Sequence, residues 1–249
     1  MVMIILQGNK CLKEVALLFD DGPNPYLTPK LLEVLRNKGV PANFFLIGMR
    51  TEQSPEIVRQ IANAGHEIGN HTYTHKRLPQ LLEEYGKQAV IDEVVKCKKV
   101  IEKASNLCEG EIKYLRPPYL DWNDKLAELV EPYYGDNILM SSLTVSDWDW
   151  GVDQDWNKED KEAISQQAER IASEWKQITE NGTLLGFHDS SEHNLPGNKH
   201  FDMWQNRALP TLEAIPHIID FLIVEGFSIN RLSDMELDKE NYIDKRKSQ

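Results

Sequence analysis

VALLFDDGP, Val15 to Pro23, decides the fold. An unbroken apolar run reaches the adjacent carboxylates of Asp20 and Asp21, and Gly22-Pro23 then turns the chain. A run this short and this apolar suits a strand buried on both faces, as in a parallel sheet. Taken alone, an Asp-Asp-Gly turn equally fits a solvated corner with an aspartate cap. Two buried acids side by side would instead require a cation close by, either a metal or an arginine.

Outward from this run, short β-rich stretches alternate with longer amphipathic ones, the pattern of βα units around a parallel sheet or barrel. Further strands are expected at Asn43 to Ile47, His66 to Gly69, Lys113 to Arg116, Asn137 to Ser141, Thr183 to His188 and Phe227 to Asn230. Thr28 is placed to cap a helix that starts at Pro29 and stops before Gly39, and Ser54-Pro55 to open another that Gly65 closes. Longer helical stretches run from about Pro79 to Ala104, Lys158 to Glu180 and Leu209 to Glu225. The 249 residues fit one α/β domain over 1–237, followed by a charged tail at 238–249 that is expected to fray. Two long polar, aromatic-bearing connections, Asp147 to Asn157 and Asp189 to Arg207, are of the length that usually carries function.

With 28 Lys plus Arg against 40 Asp plus Glu, the net charge of −12 repels polyanions and argues against nucleic acid or anionic membrane as partners. No apolar run approaches the roughly 20 residues of a membrane span. The opening MVMIILQGNKC lacks the basic and small-residue parts of a signal peptide. As written the chain reads as cytoplasmic, and a chain trimmed of an export signal would read the same. Cys11, Cys97 and Cys108 lack metal-type spacing and are expected to be reduced, buried thiols. The oligomeric state is left open.

Four more clusters bear chemistry. Asn70-His71-Thr72-Tyr73-Thr74-His75 follows an expected strand, and histidines four apart can grip one ion together with a carboxylate. Arg116-Pro117-Pro118-Tyr119 holds an arginine on a rigid extended segment. Ser146-Asp147-Trp148-Asp149-Trp150 follows, and Leu184 to Asp189 delivers His188 to the end of a buried strand. Each has a bland reading as a turn, an ion pair or a core histidine. Their coincidence at successive strand ends, where barrel active sites lie, gives them weight.

In this order and spacing the five clusters resemble the polysaccharide deacetylases with a NodB homology domain, carbohydrate esterase family 4, over Val15 to about Leu232. The resemblance implies an α/β fold, a distorted (β/α) barrel of about seven strands, and a hydrolase removing N-acetyl or O-acetyl groups from a carbohydrate. One divalent metal is implied on Asp21, His71 and His75, zinc first, with cobalt, nickel or iron as alternatives. Asp20 becomes the general base, Arg116 its orienting partner and His188 the acid. Asp149 tunes that acid, while Tyr119, Pro118 and Trp150 meet the substrate. Leu18, Leu120, Ser146 and Gly186 depart from the usual pattern and bear on groove shape. Two rival readings are a sugar-binding module without catalysis and a related linear amide hydrolase without metal. Trp148, Trp156, Phe201 and Trp204 could stack on sugars, though packing is the commoner use of such rings.

Overall fold

A computed structural model describes residues 3–140, 147, 161–190 and 208–241. VALLFD forms β2 (Glu14–Asp20), buried along its whole length. It is the hub of a parallel sheet, flanked by β3 (Asn43–Leu46) on one side and β5 (Leu184–His188) on the other, with β4 (Glu67–Asn70) beyond β3. Ser228–Ile229, β6, pairs with the first residues of β2. Past β4 the expected strands at 113–116 and 137–141 shrink to single bridges, Asn70 to Leu115 and Leu115 to Ile138, and a further bridge joins Leu139 to Ile5. Ile5 belongs to β1 (Met3–Gly8), whose Gly8 N–H donates to the Gly182 carbonyl just ahead of β5. Backbone bonds therefore carry the sheet around a distorted barrel.

Helices clothe the sheet. α1 (Thr28–Lys38), α2 (Gly48–Gln53) and α3 (Pro55–Asn63) follow β2 and β3, and α4 (Leu78–Tyr85) and α5 (Lys87–Ser105) follow β4. α6 is Asp124–Tyr134, α7 is Lys161–Ile178 and α8 is Leu209–Val224. The main core lies between sheet and helices: Phe19 stacks on Phe44 and Phe187 at centroid distances of 5.3 and 5.5 Å, with Trp175 of α7 against Phe187. Such aromatic contacts across three adjacent strands fix register as well as burying area.

Several expectations are corrected. The helix expected at Pro79 to Ala104 is two helices, broken where Gly86 takes φ 81°. Thr28 opens α1 without capping it, because its hydroxyl is drawn to Asp189. The N-terminal apolar run is a strand, and the segment read as a tail from 238 begins as β7 (Leu237–Asn241), antiparallel to β1. Paired main chain outweighs the charge of that segment. Only Cys97 is buried, while Cys11 and Cys108 are exposed. Among the described residues no helix is long and apolar enough to cross a membrane.

Candidate metal centre and its flanking acid and base

Parallel register brings the chemistry together. Asp20 pairs with Phe45 on one side and His188 on the other, and Leu46 pairs with Asn70, so β2 to β5 end at a common mouth. The residues just beyond those ends are Asp21, His71 and Asp189. Asp21 Oδ1 stands 3.4 Å from His71 Nε2 and 3.1 Å from His75 Nε2, and all three residues are buried. One ligand atom from each lies within 4.8 Å of the other two. Tetrahedral ligands at zinc–nitrogen bond lengths of roughly 2.0–2.1 Å stand about 3.3 Å apart, so the spacing suits a small divalent ion. Asp21 Oδ1 has no hydrogen bond, a cost in a buried site that an ion would remove. His71 Nδ1 lies 2.7 Å from the Arg116 carbonyl, an acceptor, which places the proton on Nδ1 and leaves Nε2 free to face an ion. Burial alone would push the Asp21 carboxyl up, but His75 and contact with both imidazoles hold it well below its ordinary value.

The adjacent aspartate is handled differently. Arg116, almost wholly buried, donates from Nε to Asp20 Oδ2 at 2.7 Å, while Asp20 Oδ1 is buried without a hydrogen bond. One oxygen is thus oriented and the other is available to take a proton. Tyr119 has its ring centroid 4.9 Å from that of His75, and the Arg77 guanidinium lies over the Tyr119 ring, 3.9 Å from its centroid. Its backbone is left-handed, φ 58°. Asp21 (φ 73°), Thr72 (66°), His75 (61°) and Leu120 (50°) share that conformation. Residues with side chains adopt it reluctantly, and strain of this kind concentrates where a site dictates the backbone.

His188 reaches the mouth from β5. Its Nδ1 is 2.7 Å from Asp147 Oδ1, and Asp147 Oδ2 accepts from the His188 N–H at 2.8 Å and from Thr211 Oγ1 at 3.1 Å. Burial works against the charged ring, but Asp147, with smaller help from Asp21 and Asp20, pushes its pKa up to about 10. The expected tuning residue was Asp149. Asp149 and Trp150 lie outside the described residues, as do Trp148, Trp156, Phe201 and Trp204. The carboxylate that stands on His188 is Asp147, two positions earlier. The repeated Asp-Trp in Asp147-Trp148-Asp149-Trp150 was the signal for it.

Two supporting groups had no legible signal. Arg50 of α2, buried, donates to the Asp21 carbonyl and, at 2.6 Å, to Ser190 Oγ. Asp189 accepts from the Thr28 hydroxyl and packs on Gly22, where a Cβ would come within 2.6 Å of its Oδ1. Gly22 is therefore required by close approach. Burial pushes Asp189 up to about 7, against the pull of Thr28 and Arg50. His66 accepts the Ala42 N–H at 3.1 Å, and burial lowers it to about 4, so it stays neutral.

Asp21, His71 and His75 converge at the mouth of a parallel barrel and could hold one metal ion, and three protein ligands are the number that leaves positions for water and substrate. The Polysaccharide deacetylase family model matches residues 7–133, and the chain belongs to that family. A chitooligosaccharide deacetylase of Bradyrhizobium sp. is 30% identical over 227 residues, covering 90% of this chain and 90% of that one. A peptidoglycan-N-acetylglucosamine deacetylase of Bacillus cereus is 38% identical over 144 residues, 57% of this chain, which spans only about half (48%) of that relative's length. Among solved structures, the Bc1960 peptidoglycan N-acetylglucosamine deacetylase superposes with TM-score 0.71 at 27% identity, covering 93% of this chain and 92% of that one.

Proposed function

We propose that this chain is a metal-dependent deacetylase that hydrolyses the N-acetyl group of N-acetylglucosamine-containing glycans. The observation that carries the reading is one mouth that brings together a carboxylate oriented by Arg116 with one bare oxygen, three side chains spaced to hold an ion, and a histidine bonded to Asp147. Asp21, His71 and His75 would hold the ion, and their mixed carboxylate and imidazole set suits zinc first, with cobalt, nickel or ferrous iron compatible. When bound, such an ion lowers the pKa of water and polarises a carbonyl. Asp20 receives the water proton at Oδ1 while Arg116 fixes Oδ2. The Tyr119 N–H donates to the oxygen on which charge develops. His188, kept charged by Asp147, gives its proton to the leaving nitrogen, which cannot depart as an anion. Asp147 takes the tuning role first expected of Asp149, while Pro118 and Trp150 remain on the substrate side of this reading.

The names of the relatives supply the substrate class, since peptidoglycan and chitooligosaccharide both present N-acetylglucosamine. A reading without catalysis is disfavoured by the retention of base, acid and all three ligands. Metal-reconstituted protein should release acetate from N-acetylated chito-oligosaccharide or peptidoglycan fragments, and a chelator should stop it. Absence of acetate release from both substrates by zinc-, cobalt- and nickel-loaded protein would sink the reading.

A further inference from the structure

The loop that carries both imidazole ligands does not hold itself in place. Thr72 and His75 are left-handed, at φ 66° and 61°, in a stretch with no glycine between residues 70 and 75. Something outside the loop must fix its main chain, and its polar groups can be followed one by one. His71 N–H donates to the Leu46 carbonyl at 3.0 Å, Thr72 N–H to Asn70 Oδ1 at 2.7 Å and His75 N–H to Thr72 Oγ1 at 3.2 Å. The Thr72 and Tyr73 carbonyls accept from Gly48 and Met49 of α2, both at 3.0 Å. Packing against α2 is tight enough that a Cβ on Gly48 would meet the Tyr73 ring at 2.5 Å.

Two donors remain, the N–H groups of Tyr73 and Thr74, and one side chain takes both. Glu93 of α5 accepts them on Oε2 at 3.0 and 2.8 Å, and its Oε1 accepts the Thr74 hydroxyl at 2.7 Å. Asn70, whose amide donates to the Val94 carbonyl of α5 at 2.8 Å and to Tyr134 Oη at 2.6 Å, anchors the entry to the loop on the same helix. Lys96 over the Tyr73 ring, and the Tyr73 hydroxyl on Glu52, hold only a side chain. We propose that Glu93 is the positioning residue of the metal centre: by binding the main chain between His71 and His75, it holds both imidazoles on Asp21. Bonds to an ionised acceptor are the stronger kind, and three of them converge here on two residues of the ligand loop. The inference rests on the metal-site reading above.

Its test is zinc affinity, measured by competition with a chromophoric chelator on apo-protein, alongside the thermal stability of the same apo-proteins. Glu93→Ala should bind zinc about 10- to 100-fold more weakly, the usual cost of removing a group that orients ligands. Glu93→Asp, which keeps the charge but falls short of the loop, should lose an intermediate amount and covers the case in which Glu93→Ala does not fold. Glu93→Gln should recover most of the affinity, because its carbonyl can still accept both N–H groups and its amide can donate to the Thr74 hydroxyl. Asp92→Ala, next along α5 and exposed, should bind zinc as wild type does. Wild-type affinity in Glu93→Asp, or an equal loss in Asp92→Ala, would overturn the proposal. Wild-type protein that binds no zinc would instead overturn the metal-site reading on which it stands.

Discussion

Asp20 and Asp21 are the same side chain at consecutive positions, and in the proposed mechanism they take different tasks because the backbone sends them in different directions. Successive residues of a strand project to opposite faces, and the left-handed turn at Asp21 (φ 73°) redirects the second carboxylate again, towards the imidazoles. Asp21→Asn should therefore lose metal affinity, since a neutral amide is a poor ligand in place of a carboxylate. Asp20→Asn should keep metal and fold but lose roughly 10²-fold or more in kcat, the scale of a general base. Elemental analysis beside initial rates separates the two, and a fully active Asp20→Asn would remove the base from the mechanism. His188 yields a pH prediction at the same scale. Asp147 holds its pKa near 10, so Asp147→Asn should let it fall towards its ordinary value of about 6.5 and move the alkaline limb of the rate profile to lower pH. At pH 8 the protonated fraction would drop roughly 30-fold for a pKa of about 6.5. A cation at Asp21 cancels part of the raising, which lowers the wild-type limb without changing the direction of the shift. An alkaline limb that stays put in Asp147→Asn would mean that His188 is not the acid.

At the scale of elements, α1 and β5 are tied through a buried polar contact rather than through apolar packing alone. The Thr28 hydroxyl accepts the Asn24 N–H at 2.7 Å and donates to Asp189, just past the end of β5. Asp189 titrates near 7 in the folded protein against an ordinary 3.8. For an acid raised on folding, the favourable contribution is present below about 4 and is lost as pH rises through about 7. Thr28→Val removes the donor that the ionised form needs most. It should cost about 1–3 kcal/mol at pH 8 and clearly less at pH 5, where Asp189 is protonated. Urea unfolding of metal-free protein at the two pH values checks this, and an equal loss at both would show that Asp189 does not titrate in this range. Thr28 also marks where sequence reading stops. Its position before Pro29 reads correctly as a helix start, but whether its hydroxyl caps that helix or reaches a carboxylate 161 positions away depends on tertiary contact. The strand ends carrying Asp20, Asp21, His71 and His188 were legible because apolar runs and chemistry coincide there. Asp147 lay within a legible cluster, but the repeat left two aspartates to choose between; Arg50 and Glu93 were not legible, because a lone charge on a helix looks the same whether it faces water or a ligand loop.

At the scale of the whole molecule, closure of the barrel depends on its two ends. β1 bonds through Ile5 to residues 138 and 140 at 2.8 Å each, with Ile4 and Ile5 buried, and β7 covers its other edge in the register Ile4 to Glu240, Ile5 to Lys239 and Gly8 to Leu237. The ladder is irregular between Ile5 and Gln7, a bulge of the sort found at barrel rims. Sequence reading missed both strands, since a single apolar hexamer and a charged segment carry little periodicity and become strands only through each other. A chain ending at Glu236 would leave β1 with an open edge and uncover Met235 and the Leu232 cluster that Leu237 packs against. Each ladder bond contributes about 0.5–1.5 kcal/mol net, so removal of this strand should destabilise the fold by several kcal/mol in total. An exposed β1 edge should also promote self-association, since unpaired strand edges template further pairing. Thermal unfolding and light scattering of the truncated chain, compared with the full one, measure both effects. The Gly8–Leu237 end of this pair lies by Gly182, ahead of β5, whereas the candidate metal centre lies just past the C-terminal ends of β2 and β4, so surviving folded molecules should still bind zinc with near wild-type affinity. Unchanged melting temperature after removal of 237–249 would show that β1 closes the barrel without β7, whereas lost zinc binding in still-folded protein would show that the two ends of the barrel are coupled.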